Sequence, residues 1–188
     1  METVTISRKR KKITGTVMTA LFAALTAAGA FIAVPLPFSP VPLVLQNLFA
    51  LLSGLILGPL LGGAAVGLYL VAGALGAPVF AGASGGFAHF LGPTGGFLAG
   101  YLLAAITAGL IAGRAGSPRW RIIPAVLAGF LVVYVPGVIW LKLVIDKPWP
   151  AALAAGFFPF LAGDLVKGAA AVIIAPRLRR AAADHLDG

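Results

Sequence analysis

Ile122-Ile-Pro-Ala-Val-Leu-Ala-Gly-Phe-Leu-Val-Val-Tyr-Val-Pro-Gly-Val-Ile-Trp-Leu-Lys-Leu-Val-Ile145 is a run of 24 residues with one charged side chain. The basic loop Arg114-Ala-Gly-Ser-Pro-Arg-Trp-Arg121 precedes it, and Asp146-Lys-Pro-Trp-Pro150 breaks it. About 20 apolar residues in a helix cross the hydrocarbon core of a bilayer, so this run is long enough to span. The rest of the chain repeats the pattern. Apolar runs cover about Ile13–Val34, Leu43–Leu57, Leu60–Gly76, Pro93–Gly113 and Ala151–Ala175, which gives six spans in all. Their punctuation is Pro35-Leu-Pro-Phe-Ser-Pro-Val-Pro42, the breaker pair Gly58-Pro59, a Gly-rich connection from Ala77 to Gly92, and Pro176-Arg-Leu-Arg-Arg180. The second and third runs are short, which suits a tilted or bent hairpin.

Composition agrees. Of the 188 residues 60% are hydrophobic and 10% charged, and the mean hydropathy is +1.04. A soluble domain is about 45–50% apolar and about 25% charged, and one of this size could not hide so much apolar surface from water. The net charge of +9 would suggest nucleic acid in a soluble protein. Here the charges sit at chain ends and in one loop, which is the pattern of membrane topology. With the N-terminus in the cytoplasm, eleven basic residues fall inside (Arg8 to Lys12, Arg114, Arg119, Arg121, Arg177, Arg179, Arg180), and Lys147 alone lies in an outer loop. Trp120 and Trp149 suit the two interfaces. A basic start followed by an apolar run also resembles a cleavable signal peptide, but this run exceeds the usual length of about 7–15 residues. Its removal would also leave five spans and force the N-terminus to the other side. The expectation is an all-α integral membrane protein: a six-transmembrane-helix bundle, one transmembrane domain over residues 1–188, with basic cytoplasmic tails at 1–13 and 176–188 and no partnership with nucleic acid.

The chemistry lies within the spans. Asp164 is the fourteenth residue of the last run of 25, near mid-bilayer on a simple ruler, where a charge costs at least about 2.5–3.5 kcal/mol. Lys167, three residues on, projects from the same helix face and can offset that cost. Such a pair marks a ligand or ion site, or glues helices together; both readings stand at this point. Pro159 and Gly163 imply a bent or loosened backbone beside it. Gln46 and Asn47 form a second polar cluster, early in the second run. The loop Phe80-Ala-Gly-Ala-Ser-Gly-Gly86 is a third, and its glycines allow backbone N–H groups to approach a ligand closely. It is not a phosphate-binding P-loop, because no Gly-Lys-Ser/Thr follows. His89 stands alone and completes no metal site. With 5 acids and no cysteine, the sequence offers no nucleophile–base pair, no metal cluster and no nucleotide-binding motif, so it is expected to be neither an enzyme nor an ATPase. Small residues recur at fourfold spacing in the first run, Ala20, Ala24 and Ala28, and Gly92, Gly96 and Gly100 form a second such row.

Four motifs in order, Pro40-Val-Pro-Leu-Val-Leu-Gln46, Pro78-Val-Phe-Ala-Gly-Ala-Ser-Gly-Gly86, Gly92-Pro-Thr-Gly-Gly96 and Pro159-Phe-Leu-Ala-Gly-Asp-Leu-Val-Lys167, resemble the biotin-specific S component of energy-coupling factor transporters, the BioY family. The resemblance runs over about residues 14–176. It departs at Ala162, where the family pattern has proline, and at Asn47, where it has threonine. The resemblance implies a vitamin pocket near the outer face, closed by the loops after spans one and three, in the cytoplasmic membrane of a bacterium. Asp164 and Lys167 would hold the ureido ring or the carboxylate of biotin. An ionised Asp accepts from ureido N–H groups and a Lys donates to the carbonyl; the carboxylate would then lie toward Ser84, Gly85 and Gly86. Gln46, Phe80 and Tyr69 would complete the binding residues. Ala20, Ala24 and Ala28 would dock on a membrane coupling subunit driven by two cytoplasmic ATPases, unless the chain works without such a module or self-associates. No cofactor is expected, biotin being the cargo. The alternatives are an S component for another small vitamin, and a membrane assembly protein whose Asp–Lys pair is structural and tolerates being swapped.

Overall fold

The computed structural model describes residues 2–113 and 117–186. Arg114 of the basic loop lies outside the described residues, as do the side chains of Arg8, Lys9 and Arg10. The chain is a helical bundle of α1 (Glu2–Phe31), α2 (Gln46–Ala74), the short α3 (Ala88–Leu91), α4 (Gly95–Ala112), α5 (Ile122–Ile145), α6 (Trp149–Gly156) and α7 (Phe158–Leu186). Among the described residues, five stretches are long and apolar enough to cross a membrane: Lys11–Phe31, Gln46–Ala74, Gly95–Ala112, Arg119–Ile145 and Trp149–Ala183. Branched apolar side chains cover the outside. On α5 they stand chiefly in one row at fourfold spacing, Ile123, Leu127, Leu131, Val135, Ile139 and Leu143, all exposed, as expected of a helix with one edge in lipid.

The second and third expected spans are one element folded back on itself. Gly58 has φ 83°, a left-handed value suited to glycine, and Pro59 follows it. Beyond the turn the limbs 46–57 and 59–74 run antiparallel. Ser53 Oγ bonds to Gly62 O (3.2 Å), and a Cβ on Gly62 would lie 2.6 Å from the Gly54 Cα. The other face of Gly54 is just as tight, a Cβ there falling 1.9 Å from Ala105 O of α4. Small residues bring three helical segments into backbone contact, as membrane packing favours. The glycine row on α4 works in the same way against α5: Cβ atoms on Gly96 and Gly100 would lie 2.3 Å from Pro136 O and 2.8 Å from Val133 O.

Three boundaries differ from the sequence reading. The first span stops at Phe31, because Pro35 lacks an N–H and drives the residue before it into extended conformation. The Pro-rich segment is not a loop but an antiparallel hairpin, β1 (Ala33–Leu36) and β2 (Ser39–Val44), with Ala33 opposite Val44 and Leu36 opposite Ser39. The last span is broken at Phe157 (φ −129°, ψ −66°) into α6 and α7. This puts Pro159 at the second position of α7, where its missing N–H is harmless. Finally, α7 does not end at Pro176 but continues to Leu186. Its inward row, Phe160, Asp164, Lys167, Ala171, Ala175, Arg179 and Ala182, passes straight through the proline. Arg179, 4% exposed, holds the far end in place: Nη1 donates to Leu55 O (2.7 Å), and Nη2 to Ala112 O (3.2 Å) and Gly113 O (2.9 Å). Leu55 O would ordinarily receive the N–H of residue 59, which is proline, and the other two carbonyls end α4. Arg179 therefore satisfies backbone groups of two other elements.

Candidate ligand site

The hairpin, the connection from Leu75 to Thr94 and the α5–α6 connection gather at the bundle end opposite Gly58, Gly113 and Arg179. Ser39 Oγ of the hairpin donates to Ala155 O of α6 (2.6 Å), Gly86 N–H to Gly73 O (2.7 Å), and Trp140 Nε1 to Gly92 O (3.0 Å). Beneath them lies a cavity of about 260 Å³ whose wall includes Pro40, Gln46, Phe80, His89, Thr94 and Tyr101. That is slightly below the usual range of small-molecule sites, about 300–1,000 Å³. Deeper is a chamber of about 20 Å³, lined by Asn47, Tyr134, Asp164 and Lys167 among others. Val41, Pro42, Val44, Phe97 and Tyr101 line both, so the two spaces adjoin.

The inner chamber surrounds a closed polar network. Lys167 Nζ donates to Asp164 Oδ1 (2.8 Å), Asn47 Oδ1 (2.9 Å) and the Val44 carbonyl (3.0 Å). Asp164 Oδ1 also accepts from Asn47 Nδ2 (2.8 Å), and the Tyr134 hydroxyl donates to Oδ2. An ammonium has three protons, and all three are engaged. The carboxylate takes three donors and keeps lone-pair capacity on Oδ2. The Asp164 and Lys167 side chains are 9% and 6% exposed. Burying two charges so deeply is tolerable only when they are paired and their remaining sites are bonded. Asn47 stands in the first turn of α2, so the carboxylate also lies by the positive end of that helix dipole.

Each residue singled out in the sequence has a definite place. Asp164 and Lys167 come together in the inner chamber. Gln46 lines the outer one, and its Nε2 donates to the Tyr69 hydroxyl and to Val79 O (3.3 Å). Phe80 is on the same wall, its ring edge-on to Tyr69 at 5.6 Å and to His89 at 5.5 Å. Tyr69 lines neither chamber; it is 2% exposed and supports Gln46 and Phe80 from behind. Ser84, Gly85 and Gly86 also line neither. Ser84 N–H is bonded to Phe80 O (3.3 Å) and Gly86 N–H to Gly73 O. A Cβ on Gly85 would lie 2.2 Å from Ala77 O, so these small residues allow the loop to pack on its own stem. Ala20, Ala24 and Ala28 are all exposed on α1. The sequence reading missed Tyr134 and Tyr101, which sit in apolar runs where a phenol adds no visible break. It noted Asn47 without placing it in the site.

The BioY family sequence pattern matches residues 3–184. A probable biotin transporter BioY of Pyrococcus horikoshii is 46% identical over 86% of this chain and 94% of its own length. The biotin transporter BioY of Thermotoga maritima is 40% identical over 85% of this chain and 92% of its own. A crystal structure of the S-component for biotin from an ECF-type ABC transporter superposes with a TM-score of 0.83 at 32% identity, covering 90% of this chain and 92% of that one.

Proposed function

The chain belongs to the BioY family, and from that premise we propose that it binds biotin in the two chambers above, with the polar head of the vitamin at Asp164. It is a multi-pass membrane subunit for biotin uptake and not an enzyme; biotin is its cargo, and no cofactor is expected. The observation that carries the assignment of the site is the buried Asp164–Lys167–Asn47–Tyr134 network beside a cavity of about 260 Å³. Ionisable groups at this depth ordinarily mark a substrate path, and an assembly role would require no cavity above them. Asp164 Oδ2 retains room for a ureido N–H. The apolar ring and chain of biotin suit Phe80, Phe97 and the hairpin prolines. Its carboxylate lies toward the mouth, where His89 and Thr94 are the polar wall residues, rather than against the glycine loop, whose Ser84 and Gly86 amides are bonded internally.

Further readings follow from charge. Arg119, Arg121, Arg177, Arg179 and Arg180 stand at the end away from the cavity, so the cavity opens to the outside and both termini are cytoplasmic in a six-span arrangement. The residing membrane is the bacterial cytoplasmic membrane. An ECF-type energising module couples through the exposed Ala20–Ala24–Ala28 ridge.

Equilibrium binding of radiolabelled biotin to the detergent-purified chain, beside Asp164→Asn and Lys167→Ala, tests the site. The expected result is saturable binding by the wild type and at least ten-fold weaker binding by both variants, each still folded by circular dichroism. Wild-type affinity in both folded variants would move the vitamin out of the inner chamber. A folded wild type that ignores biotin but is stabilised by another vitamin would redirect the substrate. If no vitamin stabilises it, the pair only joins helices.

A further inference from the structure

Tyr101 is 7% exposed on α4, and its side chain lines both chambers, at the boundary between the wide outer space and the polar inner one. The hydroxyls of its neighbours each have a partner: Tyr69 accepts from Gln46 and Tyr134 donates to Asp164. Among the described residues the Tyr101 hydroxyl has no hydrogen-bond partner. It is not sealed in the core: among the described residues the buried side-chain polar atom without a partner is Thr19 Oγ1, so the Tyr101 hydroxyl opens on the chambers it lines. What occupies the chambers, water or a ligand, is then its available partner.

The donor count in the inner chamber gives this orphan a purpose. A ureido head brings two N–H donors and one carbonyl acceptor. Asp164 can still accept a donor at Oδ2. The carbonyl finds no proton on Lys167, whose three are held by Asp164, Asn47 and Val44 O, and none on Tyr134, whose proton is given to Asp164. We propose that the Tyr101 hydroxyl is the group that donates a hydrogen bond to the carbonyl oxygen of the ligand's head, and so selects for a cyclic urea. This rests on the biotin reading of the cavity. It separates the roles of two residues: Lys167 keeps Asp164 ionised and aimed, and Tyr101 reads the acceptor. The hydroxyl then gains a partner other than water only when the ligand is present.

The test compares the wild type with Tyr101→Phe, which removes the hydroxyl and keeps the ring. Biotin affinity is measured together with the ligand-free melting temperature and the infrared band of biotin carrying ¹³C at the ureido carbonyl. The expected result has three parts: about ten-fold weaker biotin binding, the size of one buried neutral hydrogen bond; a ligand-free melting temperature unchanged or raised; and a bound-carbonyl band at higher frequency in the variant. Unchanged affinity, or a band that does not move, overturns the assignment. So does a variant that fails to fold or melts lower without ligand, because the hydroxyl would then serve the protein and not the vitamin. A wild type that binds no biotin fails at the level of the cavity reading, and is distinguished from these outcomes because it needs no variant.

Discussion

Lys167 can stay charged in the bundle because every proton it carries has an acceptor, and one of those acceptors is Asp164. Removing the lysine alone leaves a carboxylate with two neutral donors, Asn47 and Tyr134, and no countercharge. Breaking a buried pair in this way costs about 3–5 kcal/mol, whereas replacing both members with neutral groups is often far cheaper. Lys167→Met should therefore melt well below the wild type in detergent without biotin, and the double variant Asp164→Asn/Lys167→Met should recover much of the loss. Thermal unfolding of the three proteins decides it. If the double variant melts lower still, the two losses add, and the residues do not act as a pair. Asn47 belongs to the same unit, since its amide both donates to Asp164 and accepts from Lys167. A threonine there has one hydroxyl proton and cannot span the two in the same way.

The elements are held by a few close approaches, and these separate glycines that are needed from those that are not. A Cβ on Gly54 meets the Ala105 backbone at 1.9 Å, whereas one on Gly67 meets nothing within 4 Å. Gly54→Ala should force α2 from α4 and cost about 1–3 kcal/mol or more; Gly67→Ala should be neutral or stabilising by up to about 1 kcal/mol. Melting of the two alanine variants in one detergent checks the contrast, and equal effects would contradict the packing at the α2 turn. Arg179 is the polar counterpart: Arg179→Met leaves the carbonyls of Leu55, Ala112 and Gly113 without that donor. A loss of about 3 kcal/mol, with biotin affinity preserved at the other end of the bundle, is expected from melting and binding measured together. The spans were legible because length and lack of charge are local properties. So was the α2 turn, from Gly58-Pro59. The hairpin was not, because prolines announce only that helix stops, and strand pairing depends on a partner several residues away. The course of α7 past Pro176 was also hidden. Arg179 reads as one more cytoplasmic positive charge until its spacing from Asp164, Lys167 and Ala175 is seen as one buried helix row. The charged pair of the candidate site was plain in the sequence; the two phenols were not, because only the bundle brings Tyr101 and Tyr134 to one chamber.

For the whole molecule the question is how the bundle is coupled to a source of energy. The described surface of α1 offers an answer in its composition. Ala20, Ala24 and Ala28 are exposed on one edge of α1, in contrast to the large branched residues on the lipid edge of α5. A helix face against lipid gains nothing from being small. Small residues allow a second helix to approach closely enough for extensive dispersion contact, which is a main source of attraction between helices in a membrane. We propose on this ground that the ridge is a docking seam for a coupling partner. It is remote in function from the chamber, since none of the three alanines lines either cavity. Ala24→Leu places a branched side chain in the centre of the seam while remaining compatible with lipid. It should leave biotin affinity and melting temperature of the isolated chain unchanged, and should abolish co-purification with a co-expressed coupling subunit and its ATPases. The same substitution separates the two modes of action. In cells that carry such a module, uptake through the Ala24→Leu protein should be unaffected if the chain works alone, and should fall if it depends on the complex. An Ala24→Leu protein that still co-purifies in full yield would show that the partner binds another face, and the broad apolar face of α7, with Leu165, Val166, Ile173 and Ile174 exposed, is the next to substitute.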